Sequence, residues 1–169
     1  MMSEHSARFV DEAVSRRSAI VERLRAVLPA ILRPRPVVAA YLYGSFADGR
    51  VLPDSDIDIA LVLAPEPSLT AYERTALELD VAAEIEDCDF DRTVDVRVIN
   101  DAPLVAQGAV LTDGICVYSG DETLREEYEV LTRKLYFDFL PTLRMMRRAY
   151  FQRKGKDLRR QGFLRHGQD

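Results

Sequence analysis

The chain of 169 residues lacks most of what membrane proteins, disulfide-held secreted domains and nucleic-acid binders require. No apolar run approaches the ~20 residues that a helix needs to cross a bilayer. Only two cysteines occur, Cys88 and Cys116. They form neither a metal-ligand nor a redox spacing, so they suit a reducing compartment rather than a disulfide scaffold. Only two histidines occur, His5 and His166, both near the ends, which argues against a histidine-based mechanism. Positive charge is not in excess: 23 Lys and Arg stand against 28 Asp and Glu, for a net charge of -5. That balance gives no overall pull toward nucleic acid, and no direct nucleic-acid binding is expected. The N-terminal stretch MMSEHSARFVDEAV is charged and helical in pattern, without the apolar stretch of a signal peptide. The expectation is a cytoplasmic protein with no membrane association.

What is present is enough for one core. Hydrophobic residues make up 47% of the chain, and its length is about that of one domain. Residues 6–32 place apolar side chains at helical spacing with charges between them, and the RPRP segment at 33–36 stops that helix. VVAAYLYG then reads as a buried strand ended by glycine, and residues 45–55 as a turn or loop. Residues 56–64 form a second strand pattern, 69–87 an acidic helix, and 93–100 a third strand with clean alternation. Pro103 to Leu111 suits a short helix, and residues 114–120 a brief fourth strand. Asp121 is placed to cap a last helix, with a break expected near Pro141. Mixed strands and helices make the class α+β (or α/β). The division expected is a domain over 1–150 and a basic tail over 151–169, read as a solvated or disordered end.

The chemistry concentrates in Gly44-Ser45, ten intervening residues, and Asp56-Ile57-Asp58, with a third acid, Asp95, on a later strand. Residues two apart in a strand face the same way, so Asp56 and Asp58 project together while Ile57 and Ile59 face a core. In TVDVRVIN, Val94, Val96 and Val98 share one face and leave Asp95 and Arg97 on the other. If the two strands are neighbours, three carboxylates converge. Such a cluster repels itself unless a positive charge sits within it, and carboxylate oxygens are the ligands that Mg2+ prefers. Gly44, directly after a strand, lets backbone approach a ligand, and Ser45 can offer its amide and hydroxyl to phosphate oxygens.

These residues carry a resemblance. Gly-Ser, a spacer, Asp-x-Asp and a later carboxylate are similar to the signature of the DNA polymerase β-like nucleotidyltransferase superfamily. Within it, YLYGSFADGRVLPDSDIDIALVL, VDVRVIN, NDAPLVAQGAVL and YFDFLPTLR resemble the minimal nucleotidyltransferase (MNT) antitoxins. The resemblance implies a small mixed sheet flanked by helices. It implies ATP phosphates held by Gly44 and Ser45, Mg2+ held by Asp56 and Asp58, and Asp95 completing the metal site and helping to deprotonate an acceptor hydroxyl. It further implies transfer of AMP to a tyrosine of a HEPN ribonuclease toxin, with antitoxin and toxin in a hetero-oligomer. Many relatives carry an arginine where Asp48 stands here; either Arg50 covers that role or the nucleotide contacts differ.

Blander readings compete. Asp89 and Asp91 are nearby acids, but they precede the third strand in a loop-like segment. Arg97 could reach a phosphate or make a structural ion pair. Asp54 and Ser55 suit a turn and a cap, and Tyr41 and Tyr43 suit sheet packing. The Arg160–His166 spacing resembles a HEPN catalytic pair by chance, since so short a tail cannot supply a helical bundle. A small hydroxylated acceptor of the aminoglycoside kind, or an antitoxin that only masks its toxin, are the functional alternatives. A chain this short and acidic does not suit a templated polymerase.

Overall fold

The computed structural model describes residues 4–47 and 55–160. The elements run α1 (Glu4–Leu32), β1 (Val37–Tyr43), a 3-10 turn (Gly44–Phe46), β2 (Ile57–Leu63), α2 (Ala71–Glu86), β3 (Val94–Val98), α3 (Leu104–Asp113), β4 (Ile115–Ser119) and α4 (Glu122–Arg160). The class is the α+β expected. The strands form one mixed sheet in the order β3-β2-β1-β4. β1 is antiparallel to β2 and β4, and β2 is parallel to β3, with α2 making the crossover between them.

Strand alternation builds two cores. Ile57, Ile59 and Leu61 of β2, with Val94 and Val96 of β3, pack in one cluster with Leu24, Leu28 and Leu32 of α1 and Val81 and Ile85 of α2. The opposite face carries Tyr41, Ala60 and Val62 in a cluster with Val110 and Leu111 of α3. Asp58, Asp95 and Tyr43 belong to this second face by the same period-two rule. Burying each large aliphatic side chain of the first cluster contributes about 1.5–3 kcal/mol.

The helix ends have local causes. Thr70 caps α2, accepting from the Glu73 amide at 3.2 Å while Glu73 accepts from the Thr70 amide at 2.8 Å, a reciprocal capping box. Asp121 caps α4 as expected, accepting from the Leu124 amide at 3.0 Å. The break expected at Pro141 does not occur: α4 runs unbroken to Arg160. One proline forfeits a single backbone bond and crowds one carbonyl, a cost of about 3 kcal/mol that long helical flanks absorb. The chain divides into two compact units, Met1–Arg133 and Lys134–Asp169. The sheet and its packed helices belong to the first; the second contains the distal part of α4. No described helix is long and apolar enough to cross a membrane.

Candidate active site

The site grows out of the end of β1. Gly44 has φ +68°, in the left-handed region that favours glycine, and this turns the chain from strand into the 3-10 segment. Phe46 anchors that segment with a fully buried ring. Arg92 lies over the Phe46 ring at 5.5 Å and donates to the Ser55 carbonyl at 2.8 Å. It therefore ties the start of β2 to the approach of β3, where the Ile57 amide also donates to the Thr93 carbonyl at 2.9 Å.

Register then aligns three side chains on adjacent strands. Tyr43 is paired with Asp58 across β1 and β2, and Asp58 with Asp95 across β2 and β3. Asp56 precedes β2 and is exposed. Burial, then the negative charge of Asp95, then that of Asp56, push the Asp58 carboxyl above its ordinary range. Burial, then the negative charges of Asp58 and Asp95, raise Tyr43. Gly44 closes the array from beside it: a Cβ there would strike Asp58 Oδ2 and lie 3.1 Å from its Cγ. The glycine expected to admit a ligand is required first by the neighbouring carboxylate. Ser45 follows, half-buried in the turn.

The convergence expected of three acids is only partly present. Asp95 is engaged by Arg97, whose Nε lies 3.1 Å from Asp95 Oδ1, and Arg97 also reaches to 4.0 Å from Glu78. Of the two roles open to Arg97, the structure displays the ion pair. Among the described residues no group of three His, Cys, Asp or Glu is gathered closely enough to hold a metal ion. The carboxylates feel each other's charge without chelating geometry. A hard cation nevertheless fits the chemistry of this donor set, because it would offset both the burial and the repulsion that together raise Asp58.

The other sequence candidates lie elsewhere. Asp89 sits in the α2–β3 connection with φ 67°, and its carbonyl accepts from Arg23 at 2.8 Å. Asp91 is in the same connection, and neither acid is in register with Asp58. Asp48, Arg50, Asp54 and His166 fall outside the described residues, and His5 falls in the first turn of α1. Tyr41 is buried as expected, and its hydroxyl donates to Glu129 at 2.6 Å. Glu129, itself buried, also accepts from Arg133 at 2.8 Å and from Arg125. Burial and Glu129 raise the Tyr41 hydroxyl far above its ordinary value. Sequence reasoning passed over this network, and also a cavity of about 300 Å³ beside Gly44, between Tyr43 and α3. A larger hollow of about 460 Å³ lies between α1 and β4, lined by Arg25, Arg33 and Cys116. Neither cavity is lined by Asp56, Asp58 or Asp95, but the smaller one adjoins them through Tyr43, paired with Asp58, and Gly44, in contact with it.

Three comparisons bear on this arrangement. The family model described as "Polymerase beta, Nucleotidyltransferase" matches residues 28–123, more than half of the chain. No curated protein matches. Among solved structures, a toxin–antitoxin with AMP-PNP is 26% identical with a TM-score of 0.55, covering 76% of this chain and 95% of that one. A mutant of the MntA–HpeT toxin–antitoxin is 27% identical with a TM-score of 0.53, covering 74% and 92%. An MNT antitoxin in complex with a tri-AMPylated HEPN toxin from Shewanella oneidensis is 24% identical with a TM-score of 0.53, covering 78% and 96%; at that identity the likeness speaks for the fold. The matched segment holds β1 to β4 together with Gly44, Ser45, Asp56, Asp58 and Asp95, and by that match the chain belongs to the polymerase β nucleotidyltransferase family.

Proposed function

We propose that this nucleotidyltransferase is a cytoplasmic antitoxin that transfers AMP from ATP to a tyrosine hydroxyl of a HEPN ribonuclease toxin, and so inactivates it. The observation that carries the reading is the register of Asp58 with Asp95, beside a glycine that has room for no side chain. The solved neighbours that are toxin–antitoxin pairs, one with an ATP analogue, support a protein acceptor and a hetero-oligomer with it. The minimal transferase domain would cover 1–150, with 151–169 as a basic appendage.

In this reading Gly44 and Ser45 hold the triphosphate, Asp56 and Asp58 hold Mg2+, and Asp95 completes that set. Magnesium supplies charge neutralisation on the phosphates and at the leaving oxygen when bound. Asp95 also accepts the proton of the attacking phenol, whose ordinary pKa is about 10. The phenol oxygen forms a bond to the α-phosphorus, the bond from that phosphorus to the bridging β-oxygen breaks, and pyrophosphate leaves. Arg97 must release Asp95 for this role, and its guanidinium is then available to a phosphate. The added phosphodiester places negative charge where RNA phosphates approach, which opposes RNA binding by the toxin.

The test is incubation with ATP, Mg2+ and a HEPN toxin, followed by intact-mass analysis. Wild type should add one AMP or a small multiple to the toxin, and Asp58→Ala and Asp95→Ala should add none. Toxin that is silenced yet keeps its unmodified mass would establish masking instead. Adenylylation of an aminoglycoside and not of toxin would establish the small-molecule alternative.

A further inference from the structure

We propose that the cavity beside Gly44 is the nucleobase subsite, and that Asp113 at its rim selects a purine bearing an exocyclic amine; this rests on the nucleotidyltransferase reading above. The cavity shares Tyr43 and Gly44 with the carboxylate array, so a nucleotide whose phosphates sit at Gly44 has its base within reach of it. Its volume of about 300 Å³ is at the lower end of small-molecule sites. Ala47, Ala106 and Ala109 keep the walls short and apolar, and Tyr43 contributes an aromatic ring. Flat apolar walls with a ring at one side suit stacking of a base rather than binding of a phosphate.

Asp113 is the polar feature that distinguishes this cavity from a packing defect. It is the last residue of α3, where the helix dipole is negative and disfavours a carboxylate. No basic residue occupies that last turn, and the side chain is exposed. Among the described residues its carboxylate has no hydrogen-bond or ion-pair partner. An ionised carboxylate only accepts, so the rim is matched by an N–H donor and repels a keto oxygen. The 6-amine of adenine supplies that donor; an unsubstituted purine ring supplies the same stacking area without it.

The experiment compares binding of ATP, purine riboside triphosphate and inorganic tripolyphosphate by calorimetry in Mg2+. Wild type should bind ATP about tenfold or more tightly than purine riboside triphosphate, as expected for a charge-assisted hydrogen bond. Asp113→Ala, at an exposed position, should bring that ratio close to one. Ala109→Phe, checked for native circular dichroism, should weaken ATP about tenfold or more and leave tripolyphosphate binding unchanged. An unaltered ATP preference in Asp113→Ala overturns the selection by Asp113. Wild-type ATP affinity in a folded Ala109→Phe protein overturns the subsite while leaving the transferase reading intact. Wild-type protein that binds neither ATP nor tripolyphosphate overturns both.

Discussion

Asp58→Asn should make the protein more stable without metal and less stable with it. Asp58 stands directly across from Asp95, and burial together with Asp95 and Asp56 raises its carboxyl. Like charges opposite each other in a sheet cost roughly 0.2–1 kcal/mol, and solvent screening of this half-buried group keeps the figure in that range. For a chain of this size about 1 kcal/mol moves Tm by roughly 2–4 °C, so the variant should melt about 0.4–4 °C above wild type in EDTA. The sign follows from linkage. A carboxyl raised in the folded state favours folding while protonated, and that contribution is lost as pH rises through the folded value. The gain of the variant should therefore be full at neutral pH and shrink on acidification, starting above the ordinary carboxylate range. Adding Mg2+ and ATP at about 100 times their Kd should stabilise wild type by about 2.7 kcal/mol, and the variant by far less. The measurement is a set of thermal melts by circular dichroism, with EDTA and with Mg2+-ATP. A variant that melts below wild type in EDTA would show that the Asp58 carboxylate supports the fold, and the ligand argument would fail.

Two further substitutions probe the surroundings. Gly44→Ala should cost about 1–3 kcal/mol by chemical denaturation, from the left-handed φ and the contact with Asp58, and should abolish ATP binding; wild-type stability would contradict the turn geometry. Glu129→Ala removes the acceptor of the buried Tyr41 hydroxyl and a partner of Arg125 and Arg133, and should cost about 1–3 kcal/mol in urea melts while sparing Mg2+-ATP binding; a change below about 0.5 kcal/mol would mean that water replaces the carboxylate.

Period-two alternation made the sheet legible. It placed Ile57, Ile59, Val94 and Val96 inward and set Asp58 and Asp95 together before any register was known. Ends written in side-chain chemistry were also legible, as Asp121 shows. What escaped were facts of pairing between distant segments. Nothing local in Asp95-Val96-Arg97 says that the arginine folds back onto its own strand's carboxylate. Nothing local in Tyr41 names Glu129, which lies 88 residues away. The cavity between β1 and α3 escaped for the same reason, since alanines at 106 and 109 read as ordinary helix formers. Pro141 does not end α4 because the single backbone bond it forfeits is outweighed by the helical residues on both sides.

The space that a Gly44 side chain would occupy belongs to the Asp58 carboxylate. The two positions are therefore not free to vary independently, and a double-mutant cycle between them should be non-additive. Starting from wild type, any side chain at 44 meets both an unfavourable φ and an occupied volume. After Asp58→Ala the volume is released and only the backbone penalty remains. A lineage can thus replace the glycine at reduced cost only once the carboxylate has gone. Residue 44 becomes a one-way marker: a side chain there signals that the acid beside it was abandoned first, whereas a retained glycine signals nothing, because its left-handed φ favours glycine with or without the acid.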